Sequence, residues 1–232
     1  PKSGLNQEYG VPIQPEDYNP NNQLARSSVN DVYNYIITDL EAAISQLGNV
    51  QSENRSTLGA VAAKLLLSRV YLTRGKTDDY QKAVNCDPNN GNRFFSLGYA
   101  QASVNKIAEA MQNFAKADEL GLNEDAAGQM YHILGIVNQE FGKLDDALIN
   151  LKKSELIIPA DMDILKRKAV IYGLLDEITN GLQTANQMKL LAPSDYSGYQ
   201  AAYILLKQAG RIDDAFKELR YARMNLPSFP FA

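Results

Sequence analysis

The stretch Gly142–Leu151 reads GKLDDALINL, and Gly210–Leu219 reads GRIDDAFKEL. Each sets two adjacent carboxylates, Asp145–Asp146 and Asp213–Asp214, behind a glycine and a basic residue. Two readings compete: a duplicated acidic site for a metal or for acid–base chemistry, and a structural phrase that the chain repeats. Neighbouring residues on a helix point about 100° apart, so adjacent carboxylates do not converge on one cation. Carboxylates in the first turn of a helix are instead stabilised by its positive end and its unpaired N–H groups. The two glycines stand 68 residues apart, twice 34. The interval favours the structural reading.

Two weaker copies complete the series, NKIAEAMQNF from Asn105 and DEITNGLQTA from Asp176, so the four starts are 37, 34 and 34 residues apart. Aligned on these starts, one column holds Ala110, Ala147, Gly181 and Ala215. A small side chain there lets two helices approach closely. One turn further on come Phe114, Leu151, Ala185 and Leu219, on the same helix face. Ala117, Ser154, Met188 and Ala222 follow, and then Leu122, Pro159, Pro193 and Pro227, where proline ends the helix. Twelve residues before the small column lie Gly98, Gly135, Ala169 and Tyr203, each inside another apolar helical stretch. Each unit therefore reads helix, short turn at Gly, Asn or Asp, helix, loop. The chain is predicted to be all-α, built of antiparallel helix pairs.

This pattern resembles the tetratricopeptide repeat (TPR), most closely at Leu97–Gly98–Ala110–Phe114–Ala117 and at Leu134–Gly135–Ala147–Pro159. The resemblance covers about residues 91–230, in units of about 91–127, 128–161, 162–195 and 196–229. It implies an α–α superhelix, a right-handed solenoid, with residues 89–232 as one continuous stack. It also implies a non-enzymatic scaffold that binds a protein or peptide in a concave groove lined by the first helix of each unit. In that register the groove positions are Phe95, Tyr99, His132, Ile136, Gln139, Lys166, Val170, Gln200, Ile204 and Lys207. Some members clamp a C-terminal carboxylate with Lys and Asn. Here Lys166 sits at one clamp position, but Val170 stands where the Asn is needed, which disfavours that ligand.

The first third reads differently. Residues 1–24 are rich in Pro, Asn and Gln and are predicted to form an irregular arm. A helix begins at Ser28, with Val29, Val32, Tyr33, Ile36, Ile37, Leu40, Ala43, Ile44 and Leu47 on one face and Gly48 closing it. A second runs to about Arg74 and is closed by Gly75. GVPIQPEDYN and the two helices after it are similar to the helical core of RagB/SusD proteins, over roughly residues 8–85. That resemblance implies a glycan-uptake component at the outer membrane, beside a transporter and facing oligosaccharide. The scaffold reading alone implies a cytoplasmic setting.

Residues 25–88 thus form a helix pair plus a shortened third helix. From Ala83 to Pro88 is five residues, where the later units take twelve. A degenerate repeat, a stretch lost from the numbering and an engineered fusion all account for this junction near Cys86–Asp87–Pro88; the change of resemblance favours a chimera, whose purpose is then its architecture. The abrupt start at PKSGLNQEYG reads as that of a trimmed or mature fragment.

Composition narrows the function further. A net charge of −4 argues against a broad nucleic-acid footprint. The longest apolar run, AVAAKLLL, contains Lys64 and falls well short of the roughly 18 residues of a membrane span. His132 is the single histidine and Cys86 the single cysteine, so neither a Ser-His-Asp set nor a His-rich metal site is expected. GNRFFSLG lacks the Lys-Ser/Thr of a phosphate loop. The expectation is no catalytic residue, no cofactor, no metal and a binding function.

Overall fold

A computed structural model describes residues 11–13, 25–48 and 59–226. Most of the arm expected at 1–24, the loop 49–58 and the C-terminal stretch with Pro227, Phe229 and Phe231 lie outside the described residues. Among the described residues every regular element is an α-helix. The chain divides into two compact units, Pro1–Leu122 and Asn123–Ala232.

The first unit holds α1 (Val29–Leu47), α2 (Ala60–Arg74), α3 (Thr77–Cys86), α4 (Gly91–Ser103) and α5 (Ile107–Leu120). The Ser28 side chain caps α1 by accepting from the Asp31 N–H. Ile37, Leu67, Tyr71 and Ala83 form the core between the first three helices. Inside it, the Ser68 hydroxyl donates to the Ala83 carbonyl at 3.0 Å, so a buried polar group is satisfied. Asp79 closes the α2–α3 turn. Its carboxylate accepts from Arg74 Nε at 2.8 Å, from Arg74 Nη2 at 2.6 Å and from the Lys76 N–H at 3.1 Å. Burial would raise the Asp79 carboxyl, but Arg74 and the Lys76 N–H together hold it below the usual range.

The second unit holds α6 (Glu124–Glu140), α7 (Leu144–Ile157), α8 (Met162–Leu174), α9 (Ile178–Leu191), α10 (Ser197–Gln208) and α11 (Ile212–Asn225). Its core runs through Ala147, Leu148, Leu151, Ile164, Ile171 and Tyr172, with Leu165, Ala169 and Met188 beside it. A Cβ on Gly135 would lie 2.7 Å from the Leu151 side chain, and one on Gly98 would lie 2.8 Å from Phe114. Those contacts are why positions 98 and 135 carry glycine. Ser154 departs from the alanine of its column because its hydroxyl donates to the Gly128 carbonyl at 2.8 Å. Lys168, buried, pairs with Glu155, which also accepts from Gln187 Nε2 at 3.2 Å; one network joins α7, α8 and α9.

The repeated phrase of the sequence is a helix-closing motif. Asn105, Gly142, Asp176 and Gly210 all adopt positive φ, at 62°, 72°, 60° and 72°. At each, two backbone bonds close the preceding helix. Lys143 N–H donates to Asn138 O and Gly142 N–H to Gln139 O; Arg211 N–H and Gly210 N–H repeat the pattern on Leu206 and Lys207. This is the Schellman arrangement. The residue after the left-handed one already precedes the next helix, whose first turn carries Asp145–Asp146 or Asp213–Asp214.

Gly142→Ala places a Cβ at positive φ and lowers unfolding stability by about 1–2 kcal/mol in urea titration. Asn105→Gly, at the equivalent turn, changes it by under about 0.5 kcal/mol, because relief of the left-handed strain and the added chain entropy oppose each other. Asp79→Ala costs about 3 kcal/mol, the lower end for breaking a buried pair. The folded carboxyl sits below its unfolded value, so its contribution is present above about pH 4 and is lost as pH falls further. Acid titrations of the wild type and Asp79→Asn check this: the acid-side slope is smaller in the variant.

Candidate binding groove

The first helix of each pair carries the positions expected to line a groove. In the first unit, Phe95 and Tyr99 lie on α4 with ring centroids 6.2 Å apart, and Phe95 also meets the buried Phe114 at 6.1 Å. Tyr99 is exposed while Phe95 is half-buried, so Phe95 serves mainly to seat Tyr99. The other eight positions belong to the second unit.

There α8 touches both α6 and α10. Ile136, Val170 and Ile204 occupy equivalent places on the three helices, 34 residues apart, and form a row of β-branched aliphatics. Val170 is 54% and Ile204 53% exposed, although each neighbours a fully packed core position. Between α8 and α10 opens a cleft of about 450 Å³. Ala169, Gly173, Ala201 and the buried Leu205 line its floor, and Val170, Leu174 and Ile204 its rim. Small residues below and branched ones above leave room for an aliphatic side chain.

Polar side chains flank this row. On one side stand His132, Lys166 and Gln200. His132 Nε2 lies 3.0 Å from Asp163 Oδ2, and the same oxygen accepts from Arg167 Nε at 2.9 Å. Arg167 reaches on to Gln139 Oε1 at 3.5 Å, so two residues of α8 fix the rotamers of two groove residues on α6. Burial would raise the Asp163 carboxyl; the Arg167 bond and charge, with His132, hold it below the ordinary value. Lys166 Nζ lies 4.0 Å from Asp195 Oδ2. The Ser197 N–H, against the effect of burial, is the main cause of the lowered Asp195 carboxyl. On the other side stand Gln139 and Lys207, the latter 6.0 Å above the Tyr203 ring. Gln208 Nε2 donates to the Gly173 carbonyl at 2.8 Å and to Asp176 Oδ1 at 3.2 Å, tying α10 to the end of α8.

Sequence register located the aliphatic row but missed Asp163, Arg167, Gly173 and Leu174. The signal for Gly173 was present: it occupies the column of Gln139 and Lys207, where a missing side chain marks a gap in the wall. Asp163 and Arg167 had none, because their role depends on which neighbour they reach.

Elsewhere the ionisable groups are structural. Burial, with Glu41, pushes the Cys86 thiol up, away from the thiolate that reacts. Tyr71, buried and donating to Glu41 at 2.8 Å, is pushed up to about 12. Among the described residues, no group of three or more His, Cys, Asp or Glu side chains is placed to hold a metal. No helix among them is long and apolar enough to cross a membrane.

No family model matches the chain, and no curated protein matches it by sequence. Solved structures do match. YrrB, a TPR protein described as having an unusual peptide-binding site, superposes with a TM-score of 0.59 at 17% identity, over 82% of this chain and 93% of that one. MamA from Desulfovibrio magneticus RS-1 gives 0.56 at 16%, over 71% and 93%. A tetratricopeptide repeat protein from Parabacteroides merdae gives 0.57 at 16%, over 72% and 67%. The shared feature is the fold: all-α, of the TPR helical-repeat kind.

Gly173 lies in a helix interior at ordinary φ, where alanine is favoured by about 1 kcal/mol. A Cβ there meets only side-chain ends, Leu205 Cδ2 at 3.2 Å and Gln208 Oε1 at 3.5 Å. Gly173→Ala therefore raises the midpoint of thermal unfolding, a result differential scanning calorimetry reads directly.

Proposed function

We propose that the protein is a non-enzymatic scaffold that holds a peptide segment of a partner protein along the row Ile136–Val170–Ile204. The observation that carries this reading is the solvent exposure of Val170 and Ile204 at the cleft between α8 and α10, with the half-buried Ile136 in the same column of α6. An unoccupied row of this kind holds binding free energy, since each aliphatic contact removed from water is worth about 25 cal/mol per Å². The row is one residue wide and bordered by the amides of Gln139 and Gln200. That suits an extended chain, whose own N–H and C=O groups need partners, better than a helix that satisfies its own. Likeness to a protein with a peptide-binding site supports the same reading at the level of fold.

Selection from a randomised peptide library gives the test. Binders of the wild type lose at least about tenfold in affinity with Ile204→Asp or Val170→Asp, because a carboxylate in the row opposes burial. Both residues are exposed, so circular dichroism stays unchanged. A library that yields only binders indifferent to both substitutions contradicts the proposal. The resemblance of residues 8–85 to RagB/SusD proteins carries a second reading, glycan uptake, and with it the idea of a chimera. Saturable calorimetric heats with oligosaccharides would favour that reading over the scaffold.

A further inference from the structure

The most exposed large apolar side chains of the second unit lie away from the groove. Leu156 is 85%, Leu190 82% and Met224 76% exposed. They are 34 residues apart, in the last turn or just before the end of α7, α9 and α11, the second helices of three consecutive pairs. The spacing gives them one equivalent place on each helix. An isolated exposed leucine needs no explanation, but three in register do.

The two outer tips, Leu156 and Met224, have basic neighbours. Lys152 and Arg220 lie one turn before Leu156 and Met224, and Lys153 and Arg223 flank them. All four are exposed. The carboxylates beside them are already engaged: Glu155 pairs with Lys168, and Glu218 with Lys189 at 2.7 Å. Lys152 and Lys153 also lie over the Tyr172 and Tyr131 rings, at 5.6 and 4.8 Å. Among the described residues no carboxylate pairs with any of the four, so a chain of net charge −4 gathers cations beside its apolar tips.

We propose that this face of α7, α9 and α11 docks on an anionic lipid surface, with Leu156, Leu190 and Met224 entering the headgroup–acyl boundary and Lys152, Lys153, Arg220 and Arg223 paired with phosphates. Charge complementarity selects the occupant. Separate protruding tips on a basic face match the interfacial pattern of apolar residues among Lys and Arg. A protein interface would call for a contiguous apolar patch with few charges at its centre. The proposal is independent of the groove, which lies on α6, α8 and α10.

Co-sedimentation of the full chain with vesicles tests it. Vesicles of phosphatidylcholine with about 30% phosphatidylserine are expected to carry the protein down, vesicles of phosphatidylcholine alone much less, and raised salt weakens the binding as screening requires. The triple variant Leu156→Ser, Leu190→Ser, Met224→Ser is expected to lose at least about tenfold in partitioning, given the methylenes withdrawn from the boundary. Lys152→Gln with Arg220→Gln reduces it separately, while circular dichroism stays unchanged in both. Absence of binding to the anionic vesicles overturns the proposal, as does binding that the triple variant leaves intact. Binding of soluble poly-glutamate in place of vesicles also overturns it and assigns the face to an acidic protein.

Discussion

Each helix pair of the repeat region depends on one backbone constraint: a single residue in the left-handed conformation, followed at once by the next helix. Asn105, Gly142, Asp176 and Gly210 hold that position. The two hydrogen bonds of the Schellman closure fix where the second helix starts, and so which of its faces meets the first. Only then do Phe114 and Leu151 fall opposite Gly98 and Gly135, close enough that a single added methyl would clash. The short connection leaves little loop entropy to lose and makes the pair a local, low-contact-order unit.

Repetition of the turn has a consequence for the surface. Because successive pairs in the second unit keep a 34-residue register, any column of the sequence becomes a row in space. Two such rows are apolar and open to solvent over most of their length. Ile136, Val170 and Ile204 stand among positioned polar groups above a cleft, whereas Leu156, Leu190 and Met224 protrude singly among cations. The first has the depth and hydrogen-bonding partners that an extended chain needs; the second has neither. The same periodicity builds a core and two chemically distinct faces.

The turn, the small columns and the 34-residue register of Ile136, Val170 and Ile204 were legible in the sequence because each rests on a residue type at a fixed interval. The DD phrase was legible for the same reason: acidic residues in a first turn answer local backbone charge. What escaped depended on tertiary neighbours. Asp163 and Arg167 look like ordinary helix-surface charges until His132 and Gln139 are seen one helix away. The buried Lys168–Glu155 pair was invisible because a lysine in an amphipathic pattern reads as exposed. Tyr203, in the column of Gly98 and Gly135, is accommodated edge-on against Phe216, at 6.3 Å. The outer row Leu156–Leu190–Met224 was as periodic as the groove row and went unread, since exposure rather than spacing gives it meaning.

Methyl spectroscopy on protein labelled at Ile, Leu and Val, titrated with a peptide selected from a random library, tests the central claim most directly. The account predicts that the methyls of Ile136, Val170 and Ile204 shift together with saturation while those of Leu156 and Leu190 stay in place. Shifts confined to Leu156 and Leu190, with the groove methyls unmoved, would contradict it.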